Sequence, residues 1–534
     1  MKFFNTSGPV NSTNHYLIPP LERWDLENVL QLIEQEKYFV LHAPRQTGKT
    51  SCLLALADYL NAEGRYKALY VNVEPAQAYR ENVEDALSSI YASLARSEII
   101  QWQSEILDEN RKKVFAKNTK DLLSEALFLL SIKTAQPVVL FIDEIDSLIG
   151  DTLISVLRQL RAGYTQRPKS FPQSIVLCGV RDVRDYRLDV TNSGKEIITG
   201  GSAFNIKDES LRLGNFTKKD IEVLYQEHSS TTGQEFEAGY LDLVWDYTGG
   251  QPWLANALAY ETCFRRKENR DRSRTIPLKS LQQAKENLII RRDTHLDQLS
   301  DKLKEPRVQR IVEPILQSGF LNTNIFQDDI QYCIDLGLLT HSKSGLIIAN
   351  KIYAEIIPRE LTVITQYNLQ AKYRSEWYID KDNGKLQMSP LLTEFQNFYR
   401  KHSEHWLQGI SYSEAGSQLL LQAFLQRIIN GEGIVEREYG LGKRRTDLYI
   451  CWFPQGKDNY HNKQEIVIEC KVLYDSLELT IEKGLQQVSD YADKCGATES
   501  HLLIFDTKSE KSWDEKVFQK QMSYQKREIH IWGM

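Results

Sequence analysis

Two sets of residues in this chain have the types and spacing needed for chemistry on phosphates. Near one end, an apolar run at 38–41 and a helical pattern that follows residue 50 enclose the loop Ala43-Pro44-Arg45-Gln46-Thr47-Gly48-Lys49-Thr50. Near the other end, Asp447 is followed by Glu469 and Lys471 on a second apolar run. The first set suits the phosphates of a nucleotide, and the second suits a divalent cation.

A phosphate-binding loop needs successive backbone N–H groups and the positive end of a helix dipole. It also needs a lysine for the β- and γ-phosphates and a hydroxyl for Mg²⁺. Gly48, Lys49 and Thr50 supply these between a predicted strand and a predicted helix, and Ala43 stands where the usual pattern has its first glycine. We therefore predict an ATP site with Mg²⁺, formed by residues 43–50 and the following Ser51.

The second half of such a site is the run VVLFIDEID at 138–146, an apolar strand that ends in Asp143 and Glu144. Asp143 is expected to hold Mg²⁺ through its water shell, and Glu144 to polarise the attacking water. The alternative is that both motifs are chance matches at strand–helix junctions. Their agreement, each in its proper context, argues against that alternative.

The residues at the other end form a predicted carboxylate pair. Residues two apart in a strand face the same side, so Glu469 and Lys471 project together. An acid and a lysine on an apolar strand cost free energy unless that face opens on a site. Asp447 lies on the preceding predicted strand, across a polar loop at 454–463. Two such carboxylates bind Mg²⁺, with Mn²⁺ as an alternative, and the lysine can orient or deprotonate water.

Composition narrows the class of protein. With 534 residues, the chain should form about two to four domains. A formal net charge of −6 gives no basic surface overall, so nucleic-acid contacts must come from local patches. Seven cysteines without a CxxC pair indicate a reducing compartment. We see neither a signal-peptide pattern nor an apolar run of membrane-spanning length, and we expect a cytoplasmic protein.

The pattern of apolar runs predicts an α/β multidomain fold. Four near-continuous apolar runs are typical of a parallel sheet covered on both faces, at 38–43, 67–73, 138–143 and 174–180. Later segments read as helices, then as helix–helix–strand–strand around Ser342–Gly345, and finally as helix, three strands, helix and strand. The predicted domains are a nucleotide-binding core at 1–213, a helical lid at 214–298, a winged helix at 299–361, a helical connector at 362–410 and a C-terminal domain at 411–534.

Residues 15–360 resemble AAA-like ATPases of the STAND class. The resemblance rests on the P-loop, the Asp143-Glu144 pair, the strand ending in Gly179-Val180-Arg181-Asp182, and the turn Gly249-Gly250-Gln251-Pro252. It implies a nucleotide-controlled switch with Pro252 in a lid beside the nucleotide. Arg181 resembles a sensor residue by position, although a surface loop arginine is an equal alternative. Arg23 could flank the adenine, but a solvated loop charge is the favoured interpretation.

Residues 411–510 resemble the PD-(D/E)xK nuclease superfamily, which implies a restriction-endonuclease-like α/β domain. The match consists of Asp447 followed by Glu469-x-Lys471, and Gln487-x-x-x-Tyr491 matches the QxxxY motif of RecB-type members. Glu414 occupies the place of the family's first acidic residue. Each has a structural alternative: a capping box from Ser411 to Glu414, a charge pair on an edge strand, and an ordinary helix-face pair.

Other polar residues are less informative. Four basic residues could grip nucleic-acid phosphates or could form a solvated loop, namely Arg437, Lys443, Arg444 and Arg445. His402 and His405 have no further ligand nearby in the sequence, so we expect no metal there.

The sequence therefore predicts an ATP-dependent or ATP-gated nuclease, with DNA as the favoured substrate and a homo-oligomer or a regulatory protein as further partners. Architectures of this kind resemble prokaryotic defence or mobile-element proteins. One rival is an ATPase switch whose C-terminal domain binds nucleic acid without cutting. Another is an ATPase whose wing and C-terminal domain bind protein partners. The intact Asp447, Glu469 and Lys471 argue against the first rival.

Overall fold

The computed structural model describes residues 2–117, 119–181, 187–188, 198–199, 206–291, 299, 301–303, 305–317, 327–342, 345–361, 378–407, 421–422, 424–425, 433–441, 444–454, 463–473, 476–506 and 511–534. The chain divides into two compact units. The first comprises residues 1–299 with 326–353, and the second comprises residues 300–325 with 354–534. Among the described residues, no helix combines the length and apolar character needed to cross a membrane.

The described strands, numbered along the chain, are β1 (Phe3–Phe4), β2 (His15–Tyr16), β3 (Tyr38–His42), β4 (Lys67–Asn72), β5 (Val138–Asp143), β6 (Ser174–Gly179), β7 (Arg187–Leu188), β8 (Ile198–Thr199), β9 (Lys207–Arg212), β10 (Leu339–Ser342), β11 (Gly345–Ile348), β12 (Gly433–Leu441), β13 (Arg444–Trp452), β14 (Gln464–Val472), β15 (Glu499–Phe505), β16 (Phe518–Tyr524) and β17 (Arg527–Gly533).

The described helices are α1 (Leu26–Glu34), α2 (Lys49–Glu63), α3 (Val83–Trp102), α4 (Ile106–Lys117), α5 (Leu122–Lys133), α6 (Gly150–Ala162), α7 (Lys218–Thr232), α8 (Tyr240–Thr248), α9 (Pro252–Tyr260), α10 (Leu278–Arg291), α11 (Pro306–Gln317), α12 (Gln327–Asp335), α13 (Lys351–Leu361), α14 (Met388–Leu407), α15 (Leu477–Cys495) and α16 (Trp513–Lys516).

The first unit is built on a five-stranded parallel sheet with the order β4-β5-β6-β3-β9. Residues of α1 and α2 pack on one face, and residues of α3, α5 and α6 pack on the other. Every residue of β3, β5 and β6 is buried, as expected for strands covered on both faces. The four predicted strands and the parallel sheet are confirmed. The edge strand β9 was not predicted, because its sequence KDESLR has no apolar run.

Helices α7 to α10 follow the sheet, and their assignment to a lid stays a prediction. The turn between α8 and α9 contains Gly249 and Gly250, with φ of +54° and +75°, and Pro252 is the first residue of α9. Gln251 caps this helix, because its side-chain oxygen accepts a hydrogen bond from the Leu254 amide at 2.6 Å. The predicted turn is therefore a helix junction whose geometry depends on glycine.

The structure contains the predicted two helices and two short strands in the predicted order, as α11, α12, β10 and β11. β10 and β11 pair antiparallel between Leu339 and Ile348. The assignment of this region to a winged helix stays a prediction.

The second unit is built on a six-stranded mixed sheet with the order β12-β13-β14-β15-β17-β16. Helix α15 packs on one face of this sheet, against residues of β15 and β17. Helix α14 packs on the other face, together with Leu421, Phe424 and Leu425. The predicted three strands, helix and strand are confirmed as elements. However, α14 lies in the predicted connector, so this unit begins before the predicted boundary at residue 411. The hairpin β16–β17 was not predicted.

The close packing of the turn before α9 can be tested by substitution of its glycine. A Cβ atom on Gly250 would lie 2.1 Å from the Phe216 carbonyl oxygen, whereas Gly233 has the same φ of +75° with no heavy atom within 4 Å of such a Cβ. Gly233→Ala should therefore cost only the backbone strain, about 1–3 kcal/mol. Gly250→Ala should cost about 1–3 kcal/mol more, because backbone must shift. Equal thermal unfolding midpoints for the two variants would contradict this geometry.

Candidate functional site

The loop between β3 and α2 folds over the first turn of α2. Gly48 has a φ of +99°, which glycine adopts without strain, and it directly precedes the helix. The Thr47 hydroxyl donates to the Pro44 carbonyl at 2.7 Å. The Lys49 ammonium donates to the Ala43 and Pro44 carbonyls at 2.9 and 3.1 Å. The loop thus holds its lysine at the N-terminus of a helix, where anions are favoured.

Asp143, at the end of β5, connects this loop to the rest of the sheet. Its side chain is fully buried. One carboxylate oxygen, Oδ2, accepts hydrogen bonds from the Thr50 hydroxyl at 2.7 Å and from the Tyr70 hydroxyl at 2.9 Å. The other oxygen, Oδ1, accepts from the Glu144 amide at 2.9 Å. The carboxyl ends of parallel strands share one edge of a sheet. The segment that follows β3 therefore meets the end of β5 here, although β6 lies between the two strands.

The Thr50 hydroxyl and the Asp143 carboxylate fit Mg²⁺ by their chemistry. Both groups offer hard oxygen atoms, and these atoms lie 2.7 Å apart. In nucleotide sites Mg²⁺ takes few ligands from the protein, because phosphates and water supply the others. The residues predicted to hold the metal are therefore brought together by the fold.

Glu144 follows Asp143 in the left-handed region, with φ of +58° and ψ of +38°. Burial, followed by the charges of Asp146 and Asp143, raises the pKa of Glu144 above its usual value, and Lys49 and Arg45 oppose that rise. A carboxylate with a raised pKa is a better proton acceptor near neutral pH than an ordinary one. Glu144 also lines the cavity at the loop, which its predicted role requires.

A cavity of about 320 Å³ opens on the loop. The loop and Glu144 supply polar lining, and other parts of the first unit supply apolar lining. This combination suits a nucleotide, whose phosphates are charged and whose base is flat and largely apolar. The lining includes the predicted Arg45, Gln46, Thr47, Gly48, Lys49, Thr50, Ser51 and Pro252, and also Ile18, Phe216, Leu224 and Trp253.

Residues 5–10 form a wall of this cavity that the sequence analysis missed. The Val10 amide donates to the Ser51 hydroxyl at 3.1 Å, and the Trp253 indole donates to the Thr6 carbonyl at 2.9 Å. The segment therefore contacts both α2, which follows the loop, and α9. Its sequence, NTSGPV, has no motif that would have identified it.

Arg23 requires a correction. The favoured expectation was a solvated loop charge, but its guanidinium donates to the Thr47 carbonyl at 3.1 Å and to the Gly214 carbonyl at 2.7 Å. It also lies 4.6 Å from the centre of the Phe216 ring and lines the cavity. Arg23 thus supports the loop directly. Arg181 lies 4.8 Å from the centre of the Tyr332 ring, and its sensor role stays a prediction.

In the second unit, Glu469 and Lys471 form an ion pair on β14, with the Lys471 nitrogen 2.7 Å from a Glu469 carboxylate oxygen. The Glu469 side chain is only 3% exposed. Ile468 and Cys470, which alternate with them along the strand, pack on the opposite face of the sheet, in the apolar cluster that includes α14. Leu448 on β13 pairs with Ile468, so the backbone of Asp447 comes opposite Glu469 if this antiparallel register continues by one residue.

Helix α15 carries the predicted Gln487 and Tyr491. Tyr491 is buried and belongs to the same apolar cluster as Val467, which lies two residues before Glu469 and hence on the same side of β14. The helix therefore covers the sheet face that bears Glu469 and Lys471. Gln487 lies one turn before Tyr491 and is half-buried. Both positions are compatible with the predicted motif and with the alternative of a packed helix face.

For the remaining predicted residues, the structure describes either nothing or only the backbone. Glu414, Ser411 and Lys443 lie outside the described residues. For several others only the backbone is described, namely Asp447, Arg437, Arg444, Arg445, His402 and His405. The roles assigned to all of these residues stay predictions.

Comparisons with known proteins bear on the first unit. No curated protein matches the chain significantly. Among solved structures, the Walker-type ATPase of Pyrococcus abyssi is 13% identical, with 66% of this chain and 99% of that chain covered and a TM-score of 0.47. Cdc6p from Pyrobaculum aerophilum is 14% identical, with 64% and 93% covered and a TM-score of 0.34. The Thermotoga maritima RuvB Holliday junction branch migration motor is 14% identical, with 62% and 94% covered and a TM-score of 0.33.

These structural likenesses are too distant to add an argument of their own, and the family assignment rests on the sequence match. The family described as an AAA-like domain matches residues 7–356, which is more than half of the chain. The matched range contains the loop at 43–51, the buried Asp143 and most of the residues that line the cavity. The chain therefore belongs to the AAA-like domain family, and its first unit contains a P-loop ATPase domain.

Proposed function

We propose that this protein is an ATP-gated nuclease, in which the AAA-like ATPase domain controls a metal-dependent phosphodiesterase site in the C-terminal sheet domain. The observation that carries the proposal is the ion pair on β14 between the buried Glu469 carboxylate and the half-buried Lys471 ammonium. It belongs to the three-strand, helix, strand order that the sequence resemblance to PD-(D/E)xK nucleases requires.

In the ATPase site, this chain's own residues divide the work. The Lys49 ammonium neutralises charge on the β- and γ-phosphates, and the loop amides bind their oxygens. Thr50 and Asp143 hold Mg²⁺, which polarises the phosphoryl oxygens when bound. Glu144 orients the attacking water and accepts its proton. Residues 5–10, Arg23 and Pro252 enclose the rest of the nucleotide.

The charge pair on β14 needs an explanation other than stability. An ion pair taken out of water is often no more stabilising than apolar residues of the same size, because desolvation offsets the attraction. Lys463 and Glu465 show that spacing alone does not assign a site, since they form a 2.8 Å pair at the same spacing near the start of β14. Glu465, however, is 17% exposed, whereas Glu469 is 3% exposed.

Glu469 and Asp447 are proposed to hold Mg²⁺ or Mn²⁺, which would bind the scissile phosphate and stabilise its developing charge. Lys471 orients or deprotonates the attacking water, and Gln487 and Tyr491 support the site from α15. Glu414 is proposed as a further acidic member. DNA is the favoured substrate, and ATP occupancy is proposed to gate cleavage in the manner of a STAND switch. The rival is a C-terminal domain that binds nucleic acid without cutting it.

The ATPase assignments predict two separable defects. Lys49→Ala should reduce ATP hydrolysis by about 10²–10³-fold, because a preorganised charge partner of the phosphates is lost. Glu144→Gln should keep ATP binding but slow hydrolysis by about 10²–10⁴-fold, through loss of the proton acceptor. Glu36→Gln is a matched control, because Glu36 has the same φ of +58° away from the loop. Near-wild-type turnover in either site variant would disprove the role given to that residue.

The Glu469–Lys471 ion pair predicts that a variant can lose nucleic-acid cleavage and keep nucleic-acid binding. Lys471→Ala should keep nucleic-acid binding and slow Mg²⁺-dependent cleavage by about 10²–10⁴-fold. Lys463→Ala removes the other pair on β14 and should leave cleavage unchanged. Strand cleavage and filter binding would be measured side by side. If Lys463→Ala and Lys471→Ala lose cleavage equally, the second site is not centred on Lys471.

The direction of control gives a third prediction. Asp447→Ala should abolish cleavage while basal ATP hydrolysis stays within about twofold of wild type, because the two sites are proposed to be chemically independent and the ATPase regulates the nuclease. Both activities would be measured on the same preparation, with thermal unfolding as a check on folding. Parallel loss of both activities in a folded protein would instead indicate one shared site.

A further inference from the structure

Tyr70 lies on β4 and is part of neither predicted motif. Its hydroxyl donates to the Oδ2 atom of Asp143 at 2.9 Å, and its ring packs on the sheet face that α2 covers. In the β4–β5 ladder, Tyr70 pairs with Phe141 and Asn72 pairs with Asp143. The tyrosine therefore reaches along the sheet by two residues to contact the carboxylate at the end of the neighbouring strand.

The backbone of Tyr70 is fixed although β4 is an edge strand. The Gln101 side chain accepts from the Tyr70 amide at 2.9 Å and donates to the Tyr70 carbonyl at 2.7 Å, as a neighbouring strand would. Asn61 does the same for Ala68, at 2.9 and 3.0 Å. These side chains satisfy the open edge of the sheet, and they hold the Tyr70 hydroxyl at one position.

The two hydroxyls that donate to Oδ2 of Asp143 differ in their other duties. Thr50 lines the cavity and is the residue whose oxygen suits the metal, so its position depends on what the site contains. Tyr70 is absent from the residues that line this cavity, and its hydrogen bond to Asp143 does not involve the nucleotide. Hydrogen bonds of this outer kind fix the orientation of metal-binding carboxylates, and their loss typically costs about 10–100-fold in metal affinity or activity.

We propose that Tyr70 is a positioning residue of the ATPase site, whose hydroxyl orients the Asp143 carboxylate for Mg²⁺. This inference rests on the proposed role of Asp143 in holding the metal. It does not depend on the nuclease proposal. Tyr70 does not line the cavity, and in this proposal it acts through Asp143. The fold therefore uses an edge strand, fixed by Gln101, to hold a carboxylate on the next strand.

Tyr70→Phe tests the proposal, because it removes the hydroxyl and keeps the ring. Binding of a fluorescent ADP analogue would be titrated with Mg²⁺ and repeated in EDTA, alongside the Mg²⁺ dependence of ATP hydrolysis. We expect the half-saturating Mg²⁺ concentration to rise by about 10–100-fold in both titrations. Binding in EDTA and the thermal midpoint should match wild type. Tyr59→Phe, at an exposed position on α2, is the matched control and should change neither titration.

Three outcomes would overturn the proposal. An unchanged Mg²⁺ dependence in Tyr70→Phe would show that the hydroxyl does not orient the carboxylate. An equal loss of binding in EDTA would show that Tyr70 only supports the shape of the site. If the wild-type protein itself shows no Mg²⁺ dependence, the proposed metal role of Asp143 fails, and the inference fails with it. As a second variant, Gln101→Ala should shift the Mg²⁺ dependence in the same direction as Tyr70→Phe but by less, because the hydroxyl remains.

Discussion

The hydrogen bond from Thr50 to the buried carboxylate of Asp143 is the contact on which the ATPase site depends. It joins the first turn of α2 to the end of β5. Helix α2 follows β3, and β6 separates β3 from β5 in the sheet. A fully buried carboxylate is costly unless donors surround it, and Thr50, Tyr70 and the Glu144 amide provide them. Thr50, the phosphate loop that precedes it and Glu144 are thus fixed relative to one another by a single side chain.

The sequence was sufficient to predict the parts of this site that are local in the chain. The loop at 43–51 and the Asp143-Glu144 pair follow long apolar strands, and these strands were confirmed. Tyr70 and residues 5–10 could not be found in this way, because each reaches the site through tertiary contacts. Arg23 was considered as a nucleotide neighbour, but its contacts with Thr47 and Gly214 could not be read from the sequence. Tyr70 reads as an ordinary strand residue, and β9 has a polar sequence that gives no strand signal.

The same contrast applies to the second unit. Alternation along β14 was sufficient to predict that Glu469 and Lys471 share a face, and the ion pair confirms that placement. Helix α14 was predicted as a helix of the connector, but the sheet surface that it covers could not be read from the sequence. Family membership establishes an ATPase domain in the first unit. The link from that domain to phosphodiester cleavage is the proposal that joins the two units into one function.

The central claim is that ATP occupancy controls cleavage, and the most direct test compares nucleotide states. Linear and circular DNA, single strands and RNA would be incubated with wild-type protein and Mg²⁺ in the presence of no nucleotide, ADP or ATP. The Glu144→Gln variant with ATP would hold the ATP-bound state. The account predicts cleavage of at least one substrate whose rate differs between ADP and ATP, with Glu144→Gln fixed at the ATP level. Tight binding without cleavage in every state would contradict it.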